Sequence, residues 1–205
     1  MIWILFIGIA LLSYAVQANL QSKFKRFSRE PLASGLTGRE VAEKMLHDNG
    51  IYNVTVISTP GQLTDHYNPT NQTVNLSEGV FNSTSVAAAA VAAHECGHAV
   101  QHATVYGPLR LRSALVPVVS MASQVVSWIL LAGILLVQTF PALLLFGIGL
   151  FAMTTLFSVI TLPVEIDASR RATVWLQRAA SLPTMSSRWP SAPSALRPTP
   201  TWSPR

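Results

Sequence analysis

The chain has 205 residues, half of them hydrophobic and only 11% charged, with a formal net charge of +5 and one cysteine. So few charges do not suit the surface of an ordinary soluble enzyme, and the composition points to a membrane protein. The basic residues gather beside hydrophobic segments rather than on a face with interleaved aromatics, so no nucleic-acid partner is expected, and the lone Cys96 excludes an intramolecular disulfide.

The first element is a span. Residues 2–20 are apolar apart from Ser13, Gln17 and Asn19, enough for one crossing of a ~30 Å hydrocarbon core. A cleaved signal peptide is the rival reading, but there is no basic n-region, and Ala15, Val16, Gln17 and Ala18 make a poor small-x-small cleavage site. Lys23, Lys25, Arg26 and Arg29 follow the segment instead, and by the positive-inside rule they hold that flank in the cytoplasm. We expect an uncleaved anchor over 1–20, amino end outside, followed by a cytoplasmic catalytic region over 21–112.

That region begins with a turn-rich connector at 31–35. Thr37 and Glu40 then have the spacing of a capping box, which predicts a helix to about residue 49 with Val41, Met45 and Leu46 as its apolar face and Gly50 ending it. Residues 52–58 and 73–77 alternate, with Val54 and Val56, then Val74 and Leu76, on one side, and predict two short strands. Pro60-Gly61 and Asn68-Pro69 lie between them, so a hairpin and two strands of a small sheet are both open. Asp65, His66 and Tyr67 lie in this turn-forming segment at no diagnostic spacing from later histidines and read as turn polarity. The sequons at Asn53, Asn71, Asn75 and Asn82 are expected to be chance on a cytoplasmic region.

Val86–Ala103, reading VAAAAVAAHECGHAVQHA, is an alanine-rich helix with Ser85 as a plausible N-cap. It carries His94, Glu95 and His98 in the order His-Glu-x-x-His. Residues four apart sit one helical turn above each other, so both imidazoles can reach one cation, with Glu95 beside them to take a proton from water. With five histidines and six glutamates in the chain, chance gives on the order of 0.003 such matches. The motif is therefore read as chemistry, and Zn2+ as its cofactor. Cys96, inside the motif, reads as a small buried apolar residue.

From 113 to 164 there is no charge, a run long enough to cross the membrane twice. Residues 114–137 and 142–164 form the two spans of a helical hairpin, turning at 138–141. Arg110 and Arg112 before it and Arg170 and Arg171 after it put both ends on the cytoplasmic side, where the histidine helix lies. A catalytic zinc takes three protein ligands and leaves a fourth position for water. Glu165, at the start of a third-ligand helix over 165–180, is the first candidate, because a carboxylate so close to a span is costly unless paired or metal-bound. Asp167 is the second, and an interfacial acid paired to Arg170 or Arg171 is the bland alternative. His102 continues the four-residue series but lies too far along the axis to share a tetrahedral ion with His94 and His98, so it is expected to line the cleft or face solvent.

The segments SGLTGREVAEKML, DHYNPTNQTVNLSEGV, SVAAAAVAAHECGHAVQHA and LPVEIDASRRA, in this order and with a hydrophobic hairpin before the last, resemble the membrane-bound neutral zinc metallopeptidases of the YugP-like family. The likeness covers about residues 1–178. It implies a membrane-integral zinc-dependent endopeptidase, with His94, His98 and Glu165 as metal ligands and Glu95 as catalytic acid; its more distant HtpX-type relatives cleave membrane proteins. Those relatives carry an aspartate four residues after the ligand glutamate. Here that position is Ser169, which leaves Asp167 for any supporting carboxylate.

The expectation is thus a membrane protein, mainly α, with three transmembrane helices and a small cytoplasmic α+β zincin-like catalytic domain carrying the His-Glu-x-x-His helix. It would be a multi-pass protein of the cell (inner) membrane, with the lipid bilayer and protein or peptide substrates, membrane proteins among them, as its partners. A non-catalytic, truncated zinc-binding membrane protein is the alternative. Residues 181–205, with six of the 13 prolines and no acid, read as a disordered tail. Out-of-frame translation is the sharper reading of that tail, because the family carries a further hydrophobic segment.

Overall fold

In the computed structural model the described residues are 2–181; residues 182–205, nearly all of the stretch read as a tail, lie outside them. Helix α1 (Ile2–Phe27) carries the anchor seven residues past its expected end and finishes on Lys25 and Arg26, where the helix dipole favours cations. Its large side chains, Trp3, Leu5 and Phe6 among them, are exposed, as a lipid-facing span requires.

Helix α2 (Gly38–Asp48) starts with the expected capping box: Thr37 Oγ1 accepts from Glu40 N at 3.3 Å and Glu40 Oε2 accepts from Thr37 N at 2.8 Å. Such a cap is worth about 1 kcal/mol. Val41, Met45 and Leu46 are fully buried, and Gly50 (φ +73°) takes the left-handed conformation just past the helix end.

Strands β1 (Thr55–Thr59), β2 (His66–Asn68) and β3 (Thr73–Ser77) form one sheet in the order β1-β3-β2. The two strands legible in the sequence pair in parallel, Val56 opposite Val74, so they are strands of a small sheet and not a hairpin. The partner that turns back antiparallel on β3 is β2, from the stretch expected to be only a turn. Three residues are too few to show an alternation, and the pairing is held instead by the turn after it, where Asn68 Oδ1 accepts from the backbone of Thr70 and Asn71. Asp65 ties the sheet together at its end, accepting from Ser77 N at 2.7 Å and from Ser77 Oγ. This is the structural role its turn polarity implied. The Asn75 side chain is buried and bonded to His66 O and Thr73.

A short helix α3 (Glu78–Phe81) leads into α4 (Val86–Ala103), capped by Ser85 Oγ accepting from Ala88 N at 3.2 Å. The alanines Ala88, Ala89, Ala92 and Ala93 and the thiol of Cys96 are buried in a core shared with Met45, Leu46, Val74 and Leu76. Burying each of the larger side chains contributes on the order of 1.5–3 kcal/mol.

Helices α5 (Gly107–Leu135) and α6 (Pro141–Ser181) form the hairpin. With α1 they make three helices long and apolar enough to cross a membrane, the spans being Trp3–Phe27, Gly107–Leu135 and Pro141–Ala179. A Cβ on Gly133 would lie 2.8 Å from Leu144 Cα, so the two rods meet where one of them has no side chain. There is no break at 164: α6 runs on as one helix and delivers Glu165, Asp167 and Ser169 to α4. Its buried Ala168, Ala172 and Leu176 pack there, and Trp175 Nε1 donates to Asp48 Oδ2 of α2 at 3.0 Å.

Candidate metal centre

The approach of α4 to α6 depends on Gly97 inside the motif. A Cβ there would sit 2.6 Å from the backbone oxygen of Ala168, so a side chain of any size would push the helices apart. With none, the faces carrying His94 and His98 and that carrying Glu165 close on each other. Ligand atoms of these three residues all lie within 4.8 Å of one another. Glu165 Oε2 is 3.2 Å from His94 Nε2 and 3.5 Å from His98 Nε2. In a tetrahedral zinc site with bonds of about 2.0–2.1 Å, ligand atoms stand about 3.3 Å apart.

The hydrogen bonds behind the imidazoles decide which atoms face the gap. Gln101 is fully buried, and its Nε2 donates to Val164 O at 2.8 Å and to Asp167 Oδ2 at 2.9 Å, both acceptors. Its Oε1 must therefore face His98 Nδ1, 3.0 Å away, and that nitrogen must carry the proton. A neutral His98 then presents the bare lone pair of Nε2 to a carboxylate oxygen. Two acceptors turned on each other need a cation between them, which is the condition a metal or a proton meets. His94 is held at its other nitrogen by Ser169 Oγ, 3.1 Å from Nδ1, and its ring meets that of His98 edge-on with centroids 4.9 Å apart. The donor set, two imidazoles and a carboxylate, suits zinc and leaves a fourth position open.

Glu165 pairs neither with Arg170 nor with Arg171, the partners of the bland alternative: its other oxygen, Oε1, meets Arg112 Nη1 at 3.2 Å. Arg171 pairs instead with Asp167, Nε to Oδ2 at 2.6 Å. Asp167 does not reach the gap between the imidazoles; it touches His98 only through Gln101. Glu95 is buried beside the histidines, with no hydrogen-bond partner among the described residues. Burial raises its carboxyl above the ordinary range, and the charges of Asp65 and Glu165 push the same way against the pull of His94 and His98. A carboxylate so placed binds a proton readily. Burial also pushes the Cys96 thiol far up, so it is not a nucleophile. His102 is exposed one turn beyond His98, with Nδ1 3.0 Å from Tyr67 Oη of β2.

Three residues of this arrangement escaped the sequence reading. Arg112 was counted only as a topological marker, and Ser169 only as a departure from an aspartate. Gln101 carried one usable signal, its position three residues after His98 on the same helical face.

The family model described as "Putative neutral zinc metallopeptidase" matches residues 2–196. The curated "Putative membrane protease YugP" of Bacillus subtilis (strain 168) is 45% identical over 163 residues, covering 78% of this chain and 71% of that protein. No solved structure gives a significant match.

Proposed function

The chain belongs to the neutral zinc metallopeptidase family matched above, and from the geometry of the site we propose that it is a membrane-bound zinc-dependent endopeptidase. The observation that carries this reading is the convergence of His94, His98 and Glu165, from two separate helices, beside the buried Glu95. In this reading the three residues are the metal ligands, and α4 with its small sheet is a zincin-like catalytic domain. Zinc held there supplies Lewis acidity, which acidifies water and draws charge from a carbonyl oxygen.

The side chains do the rest. Glu95 accepts the proton of the attacking water and delivers it to the leaving amine, a service worth about 10²–10⁴-fold in rate. Its raised carboxyl pKa matches it to both halves of that transfer. Ser169 fixes the ring of His94, and Gln101, held by Asp167, fixes the tautomer of His98. Basic residues at the ends of all three spans support a cytoplasmic catalytic region in a multi-pass cell-membrane protein acting on protein or peptide substrates.

Zinc analysis of the detergent-purified full-length chain, together with peptide hydrolysis, tests the proposal. Glu95→Gln is expected to keep zinc and lose turnover; a variant that still turns over peptide removes Glu95 from its role. Glu165→Ala is expected to lose zinc and Asp167→Ala to retain it, and the reverse exchanges the two. A wild type that holds zinc but hydrolyses no peptide is the non-catalytic alternative.

A further inference from the structure

Charge along the chain stops at Arg112, and the uncharged run of α5 begins at Ser113. The boundary between lipid headgroups and hydrocarbon therefore crosses the first turns of α5. A cleft of about 340 Å3 opens at that level, between the end of α4, the turn after β2 and the start of α5. Its volume is that of a small-molecule site, about 300–1,000 Å3.

The lining has two halves. Pro69, Val105 and Leu109 are apolar, while His102, Arg110 and Ser113 offer N–H and O–H donors, and no Asp or Glu lines the cleft. Arg110 differs from the basic residues near it. Arg112 pairs with Glu165 and Arg171 with Asp167, whereas the exposed side chain of Arg110 has no partner among the described residues. Its charge is left for a ligand. The lining is also ordered beforehand, since Tyr67 Oη at His102 Nδ1 pins β2 to the end of α4, and Tyr106 N donates to Gln101 O at 2.9 Å to close the turn that carries Val105. Val105 has φ +54°, a backbone conformation that β-branched residues rarely adopt, and its side chain is 63% exposed.

The apolar half continues beyond the cleft. Leu109, Ser113 and Val116 follow one another at steps of four and three, which is one face of α5, and Val116 is exposed inside the uncharged run. A ligand held at Arg110 can extend along this face into hydrocarbon. A free phosphate has nothing to place there, and a peptide would carry unpaired backbone amides into lipid, at a cost.

We propose that the cleft binds an anionic phospholipid, with the headgroup phosphate at Arg110, His102 and Ser113 as further donors, and the start of an acyl chain against Val105 and Leu109. A basic pocket at the membrane surface suits such a headgroup. The site stands apart from the metal centre and does not depend on the peptidase reading.

The test titrates full-length protein in a neutral detergent with fluorescent phosphatidylglycerol and with phosphatidylcholine of the same chains and label. Phosphatidylglycerol is expected to bind more tightly, because the choline cation would meet Arg110. Arg110→Gln should weaken phosphatidylglycerol binding about fivefold, the worth of one cation towards an anionic lipid, and leave phosphatidylcholine nearly unchanged. Lys25→Gln removes a cation at the end of α1 that does not line the cleft, and should change neither. Ser113→Trp fills the cleft without altering charge and should weaken phosphatidylglycerol at least as much as Arg110→Gln. If it fails to fold, as an earlier thermal transition reports, Val105→Asp decides in its place: aspartate tolerates positive φ, and a carboxylate there should repel phosphatidylglycerol and spare phosphatidylcholine. Wild-type affinity in Arg110→Gln, or an equal loss in Lys25→Gln, overturns the site. Glycerol phosphate without acyl chains is the last arm. If it displaces the labelled lipid as effectively as unlabelled phosphatidylglycerol does, the cleft takes free phosphate and the lipid assignment is overturned.

Discussion

Arg112 Nη1 lies 3.2 Å from Glu165 Oε1, and this pair leaves Oε2, not Oε1, facing His94 and His98. The contact crosses the membrane hairpin, from the second turn of α5 to α6. The hairpin therefore sets the orientation of Glu165 as well as returning it to the right side. For metal binding the arginine has two opposed effects, since its charge repels a cation and its hydrogen bond fixes the carboxylate. With 31% and 38% of the two side chains exposed, water damps the repulsion, and orientation should dominate.

Arg112→Gln is accordingly predicted to weaken zinc binding about 10–100-fold, read by competition with a chromogenic chelator. Arg112→Lys should recover part of the loss. An affinity equal to wild type in the glutamine variant would show that Glu165 orients without help.

Gln101→Leu keeps the volume and removes every polar contact. His98 Nδ1, Val164 O and Asp167 Oδ2 each lose a partner. Leaving such groups unsatisfied costs about 1–3 kcal/mol each when buried. We expect a lower melting temperature of the metal-free form in detergent and zinc affinity down by at least ~10-fold. A variant that melts lower yet binds zinc as tightly would mean that Gln101 supports the fold but not the tautomer of His98.

Gly97→Ala tests the helix approach with a single methyl. Because the atom it meets is the backbone oxygen of Ala168, the helices must separate. Overpacking of this kind costs about 1–3 kcal/mol, and here it also carries Glu165 away from the imidazoles. Loss of zinc stoichiometry together with a reduced melting temperature is the expected result. Full zinc occupancy at wild-type stability would mean that α4 and α6 need not touch at this point.

Orientation can be read with one thiol. Cys96 is fully buried and its thiol is held in the protonated form, so it should stay silent towards maleimides in folded protein. Gln62→Cys adds an exposed thiol in the loop before β2. A membrane-impermeant maleimide should label it only after cells are permeabilised. Labelling of intact cells would put the region between α1 and α5 outside and overturn the positive-inside argument.

What could be read from the sequence was whatever depends on neighbours along the chain. The capping box of Thr37 and Glu40, the N-cap at Ser85, the apolar faces of the helices and the uncharged run are all local or periodic, and each sits where its pattern put it. His94 and His98 belong to this class, because four residues on a helix fix their relation without help from the rest of the chain. The stretch 66–68 was not legible, since three residues carry no period and the strand exists only because β3 lies beside it.

The remainder was decided by the packing of α4 on α6. Sequence distance says nothing of how a residue 71 positions away from His94 will meet it, and charge alone could not choose between Arg112, Arg170 and Arg171 as the partner of Glu165. The choice came from a missing side chain at Gly97, which lets two helix backbones approach, and from the hairpin, which fixes the rotation of α6. That rotation turns Glu165 and Ser169 towards the histidines and leaves Asp167 to Gln101 and Arg171. The sequence by itself determined the two imidazoles one turn apart, the carboxylate of Glu95 beside them and the apolar hairpin; the tertiary structure alone determined which oxygen of Glu165 meets the imidazoles, because that depends on a contact between helices rather than on any spacing within one.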